Sequence, residues 1–244
     1  MRQLWIKAAA IATAIIAGLC IASYGQTKKL PAAKKPVERW IKVYNNLMMG
    51  VQTNSSIGQF LKTATGEVIA VQDAERFQKE IAFVFFTEYG ANYATLTFPG
   101  NAAAAASYGT DEISVFTESP GGMNHWEQGN LNSGYITWAS TSDGDMSASD
   151  FNEVAESKSW ANFSKMFSRF NSGSGKLSYV GNYVHLATNN VYMFQLNNTI
   201  RGFIYEKNLT PKSAKGGSFK FDLIIEGSDE HKSSDVKGLQ PSKD

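Results

Sequence analysis

The 244-residue chain carries 23 basic and 22 acidic side chains, a balance with no excess that would draw it to nucleic acid or to an anionic membrane surface. Its single cysteine excludes an internal disulfide framework, so stability has to come from buried apolar surface. The length suits one sizeable domain.

Residues 1–25 have the three parts of a secretory signal peptide. Arg2 and Lys7 supply the positive start, Ala8 to Ala22 an uncharged apolar run, and Ser23 and Gly25 the small residues a signal peptidase prefers. The run falls short of the roughly 20 residues of a spanning helix, which favours cleavage over a retained anchor. Cys20 lies inside it, and bulky Leu19 stands where a lipidated cysteine wants a small neighbour, which argues against a lipid anchor. The expectation is an exported protein of the periplasm, outer-membrane surface or extracellular space. It contacts a membrane only if this segment is retained or Cys20 is acylated. Residues 26–36, with four lysines and two prolines, read as an extended linker. Residues 37–226 are expected to form one β-sandwich domain, and the polar stretch 227–244 a disordered tail.

Within the domain, Trp40, Val43, Tyr44 and Leu47 recur at helical spacing and predict a short helix over Val37–Val51. A hairpin about Thr65–Gly66 follows, with Gly66 free to take a positive φ. "IAFVFF" at Ile81–Phe86 is an unbroken apolar run of strand length, suited to a sheet buried on both faces. "NYATLTFPG" alternates, with Thr95 and Thr97 on one side and Ala94, Leu96 and Phe98 on the other, and Pro99–Gly100 ends it. "DEISVFTE" and "SGYITWAS" are further strand candidates, while "NAAAAASYG" fits either a helix or a loop. Ser149–Phe170 predicts a helix capped by Ser149 or Asp150, with Phe163, Phe167 and Phe170 on one face and a break near Ser157–Ser159. Four C-terminal runs divided by turn formers predict strands, the last with Phe219, Phe221, Leu223 and Ile225 on one face as a half-buried strand. The sum is a mainly β fold, an antiparallel β-sandwich with one or two short helices outside the sheets.

The order "IGQFLKTATGEVIAVQDA", "KEIAFVFF", "ATLTFPG", closed by "NNVYMFQLNNTIRGFIYEKNLTPKSAKGGSFKFDLIIEG", resembles a domain common in exported proteins and lipoproteins of Bacteroidetes. The likeness spans residues 57–226. It implies an all-β core, a cell-envelope or extracellular location, and a final hairpin and edge strand. It brings no catalytic residues with it. A more distant likeness to the β-sheet haemophores of the same bacteria implies haem as a cofactor to test.

The most site-like segment is "SPGGMNHWEQGN", Ser119–Asn130. Met123 and His125 are potential metal or haem ligands, and Trp126 offers an indole for a sugar or porphyrin. The bland alternative is a surface loop anchored by a packed tryptophan. His185 alternates away from Val184 and Leu186 and completes either a bis-histidine pair with His125 or a His–Met pair with Met123 or Met193. Two unrelated surface histidines explain the same residues. "SDGDMSASDFNEV" opens like a calcium loop at Asp143, Asp145 and Ser147. Ala148 then stands where the loop needs glycine, Val154 occupies the bidentate position and Glu153 falls one short, so calcium is not expected. "NSGSGK" fails as a phosphate loop at Phe170 and Leu177. Motifs of zinc proteases, serine hydrolases and dinucleotide enzymes do not occur. The leading expectation is therefore an exported, non-enzymatic binding module of the bacterial envelope or surface, with carbohydrate or a surface protein as ligand. The alternatives are a haemophore-like haem or metal carrier, and a glycan hydrolase built on two carboxylates about 5–10 Å apart.

Overall fold

In the computed structural model the described residues are 38–87, 94–101, 118–139, 146–172, 181–197, 199–210 and 217–228. They contain ten strands: β1 (Arg39–Gly50), β2 (Phe60–Lys62), β3 (Glu67–Ile69), β4 (Ile81–Thr87), β5 (Ala94–Thr97), β6 (Gly134–Trp138), β7 (Tyr183–His185), β8 (Val191–Leu196), β9 (Ile200–Leu209) and β10 (Ser218–Ser228). One sheet has the order β1-β10-β9-β8-β6 and the other β3-β2-β4-β5-β7, with every named pair antiparallel. The fold is the expected mainly β architecture. Its helices, α1 (Val71–Ala74), α2 (Ala148–Ser157) and α3 (Trp160–Ser172), lie outside the sheets. No helix among the described residues is long and apolar enough to cross a membrane.

The two sheets face each other across a core of Leu61, Phe83, Phe85, Leu96, Phe98, Tyr192, Phe194, Ile204, Phe219, Phe221 and Leu223. Phe83 packs edge-on against Phe194 at 4.9 Å between ring centroids, which ties β4 to β8 across the sandwich. Fully burying a phenylalanine contributes about 1.5–3 kcal/mol, so this layer is the main source of stability in the cysteine-poor chain. All of β4 is buried, because its second face meets α1 and the 118–131 segment. The β2–β3 hairpin turns where expected, with Lys62 opposite Glu67 and Gly66 at φ 73°. A side chain at Gly66 would strike the Tyr44 ring at 2.6 Å, so the turn needs glycine for conformation and for space.

The expected helix over Val37–Val51 is instead strand β1. Its spacing imitates a helix because a β-bulge lies between Tyr44 and Leu47. Before the bulge Ile41 and Val43 face the helices; after it Leu47 and Met49 face the inter-sheet core. One extra residue inverts the alternation, so Tyr44 and Leu47 share a face three positions apart. The second correction concerns β10. It is neither half-buried nor an edge strand: β1 flanks it on one side and β9 on the other. Ile224, the apparent exception to its alternation, belongs to the layer under the helices with Phe151, Val154, Phe163, Phe167 and Phe203.

The predicted helical stretch divides at Lys158, which takes the left-handed conformation at φ 48°. Ser147, rather than Ser149 or Asp150, caps α2, and Asp150 returns its carboxylate to the Ser147 N–H at 2.8 Å. Asp143, Asp145, most of "NAAAAASYG" and "DEISVFTE", and the glycines of "NSGSGK" lie outside the described residues, as do the signal and linker segments and residues 229–244; Gly227 and Ser228, expected to start the disordered tail, instead end strand β10.

Asp222 of β10 holds two irregularities at once. It accepts the Asn46 N–H at 2.7 Å, inside the β1 bulge, and the Lys207 ammonium at 2.6 Å, beside the register shift between β9 and β10. Asp222→Ala removes both partners and is expected to destabilise the protein by about 1–3 kcal/mol. Urea unfolding checks this as a lower midpoint at unchanged slope, and a shift equivalent to under about 0.5 kcal/mol would show that the bulge holds itself.

Candidate functional site

The 118–132 segment is sealed onto the outer face of the β3-β2-β4-β5-β7 sheet. Met123 and Trp126 are buried there, Trp126 only 4% exposed, among Phe60, Ile69, Ile81, Val84 and Phe86. The indole packs on Phe60 at 5.5 Å and donates its N–H to the Gly121 carbonyl at 2.9 Å. Asn132 donates to the Lys79 and Ile81 carbonyls, and the Glu127 N–H binds the Gln78 side chain, so the second half of the segment is stitched to Gln78–Ile81. Trp126 is therefore an anchor rather than an open stacking surface. His125 is exposed at the tip of the turn Met123–His125.

His185 sits on the edge strand β7, on the face opposite Val184 and Leu186, as its alternation predicts. Its Nδ1 lies 3.2 Å from the Thr95 hydroxyl, and its ring meets Tyr183 edge-on at 5.3 Å. Both histidines thus belong to the same side of the sandwich. Met193 does not join them: it is buried beneath the helices on the other sheet, which removes it as a partner for either histidine. Met123 is turned into its own apolar layer. Among the described residues no three His, Cys, Asp or Glu side chains converge to hold a metal.

A different surface gathers exposed chemistry. The large apolar side chains more than a third exposed among the described residues are Met48, Tyr135 and Trp138, and the last two share the edge strand β6. Trp138 follows Ile136 onto the inward-facing side but lies at the strand's end, which leaves it 46% exposed. Tyr135, 48% exposed, points to the helix-covered side, beyond the part the helices cover. Register places Tyr135 opposite Gln195 on β8, and Gln195 opposite Arg201 on β9. Opposed residues share a face, so the three stand in one cross-strand row.

The row ends in a buried ion cluster. Arg201 grips Glu226 through Nε, at 3.2 and 3.1 Å from its two oxygens, and through Nη2. Glu226 also receives the Trp160 indole N–H at 3.2 Å and Arg39 at 3.4 Å. Its carboxylate is almost fully buried, and two guanidinium groups against it leave one positive charge in excess. Phe167 and Phe163 support the Arg201 guanidinium at 4.8 and 5.8 Å. The sequence offered no signal for this cluster, because its members lie on four elements and meet only through register.

At the end of the sandwich Glu206 is fully buried. It accepts the Asn189 N–H, at a left-handed turn, and its Oε1 has no hydrogen-bond partner. Burial pushes the Glu206 carboxyl above the usual carboxylate range. Burial likewise raises the nearby Tyr192 phenol to about 12, so it stays neutral while its oxygen accepts the Ala187 N–H at 2.7 Å. With the geometry in place, comparison finds no family, no curated protein and no solved structure that matches the chain.

The raised Glu206 pKa fixes a sign. The folded protein binds the proton more tightly than the unfolded chain does. Stability from this group is therefore present below the unfolded pKa of about 4.3 and is lost as pH rises through the folded value. Glu206→Gln keeps an acceptor for Asn189 and removes the charge. The variant is expected to melt higher than the parent at pH 7 and nearly level with it at pH 4. Thermal unfolding at the two values checks this, and an equal difference at both would place the titration elsewhere.

Proposed function

We propose that the chain is an exported, non-enzymatic β-sandwich module that binds carbohydrate at the bacterial cell envelope or surface. Export is supported by the tripartite pattern of residues 1–25, and the envelope setting by the resemblance to exported Bacteroidetes proteins. The observation that carries the ligand class is the pair of half-exposed aromatic side chains, Tyr135 and Trp138, on one edge strand. Aromatic rings left in water at a rim offer an apolar face for a sugar ring and a polar tip for its hydroxyls.

A non-catalytic role is supported by the sequence, which carries no zinc-protease, serine-hydrolase or dinucleotide motif and no cysteine nucleophile in the domain.

Affinity electrophoresis through gels carrying different polysaccharides tests the reading. The protein is expected to be retarded by at least one of them. Trp138→Ala or Tyr135→Ala, according to which face of β6 takes the sugar, should weaken binding about tenfold, equivalent to about 1.4 kcal/mol, without lowering the melting temperature. Release of reducing ends by the purified protein would contradict the non-enzymatic assignment.

A further inference from the structure

Building on the carbohydrate reading, we propose that the cross-strand row Tyr135–Gln195–Arg201 is a subsite for an acidic sugar, one carrying a carboxylate as uronic acids do. Neighbouring strands lie about 4.8 Å apart, so the row runs about 10 Å over β6, β8 and β9, the scale of a disaccharide. It presents three groups in order: an exposed aromatic ring, a side-chain amide and a guanidinium.

Each group has capacity in hand. The Gln195 amide makes no hydrogen bond among the described residues. Arg201 uses Nε and Nη2 on Glu226, while its Nη1 has no partner among them. The Arg201 side chain as a whole retains 22% exposure. Glu226 fixes its plane from behind, and the Phe163 and Phe167 rings hold its flank. A guanidinium held this way loses little freedom on binding and offers its Nη1 hydrogens to an anionic oxygen in a fixed direction.

Charge selects the ligand's sign. Arg39 and Arg201 together outweigh Glu226 by one positive charge, and no carboxylate other than Glu226 is paired with either arginine among the described residues. A neutral sugar would use Tyr135 and Gln195 and leave this charge unanswered. An acidic sugar stacks on Tyr135, bonds a hydroxyl to Gln195 and places its carboxylate at Arg201 Nη1.

Calorimetric titration with oligogalacturonate and with a cello-oligosaccharide of equal length tests the subsite. The acidic oligomer is expected to bind at least tenfold more tightly, with an affinity that falls as salt rises. Tyr135→Ala and Gln195→Ala should each reduce that affinity several-fold. Both positions are partly or well exposed, so the variants should fold, as circular dichroism would verify. Arg201→Lys, which keeps the charge and loses the planar fork, should remove most of the preference for the acidic oligomer. Equal binding of the neutral oligomer, with losses in Trp138→Ala and none in Tyr135→Ala or Gln195→Ala, would overturn the subsite and leave the carbohydrate reading standing. Absence of binding to either oligomer overturns the subsite, and the gel panel then decides the carbohydrate reading separately.

Discussion

The burial of β10 on both faces is the constraint on which the rest of the molecule depends. The strand carries Phe219, Phe221 and Leu223 into the inter-sheet core and Ile224 into the layer beneath the helices. Such a strand cannot face water on one side. It demands a cover for its second face, which α2 and α3 supply, while β1 and β9 pair its backbone on either side. It also brings two carboxylates, Asp222 and Glu226, into a largely dry setting where each needs compensation. Asp222 finds it in a bulge N–H and a lysine, Glu226 in two arginines and an indole.

These compensations shape the surface. Arg201 is immobilised because Glu226 must be neutralised, and Trp160 is drawn down because the same carboxylate has a further lone pair to satisfy. The outer face of the β1-to-β6 sheet is then divided in two. Helices cover β1, β10, β9 and the first part of β8, while among the described residues Tyr135 of β6 is half exposed and Gln195 partly exposed, in register with the fixed guanidinium. A structural requirement of the core has produced an oriented cation in the same cross-strand row as an exposed tyrosine.

Much of the fold is legible in the residues. β4 was recognisable as doubly buried, β5 as alternating, the Gly66 hairpin as a turn, and the helical region as capped and interrupted. Each of those signals is local. β1 imitates a helix because its bulge changes the period from two to an apparent three and four, and nothing at Asn45–Asn46 announces an extra residue. β10 looks half-buried because Lys220, Asp222 and Glu226 imitate a solvent face. The ion pairs of Asp222 and Glu226, which make their burial tolerable, come from residues as distant as Arg39.

The candidate site was the least legible part. Glycines, a histidine and a tryptophan at Ser119–Asn130 suggest a binding loop, yet the same composition serves a segment that must cover a sheet and pack one indole. Tyr135, Gln195 and Arg201 are spread over three strands, and only pairing register aligns them. The most direct test of the account is a nuclear magnetic resonance titration of the isotopically labelled protein with oligogalacturonate. The account predicts that amide shifts concentrate at Tyr135, Gln195 and Arg201 while those of His125 and Trp126 stay in place. Shifts centred on His125 and Trp126, with β6, β8 and β9 unmoved, would contradict it.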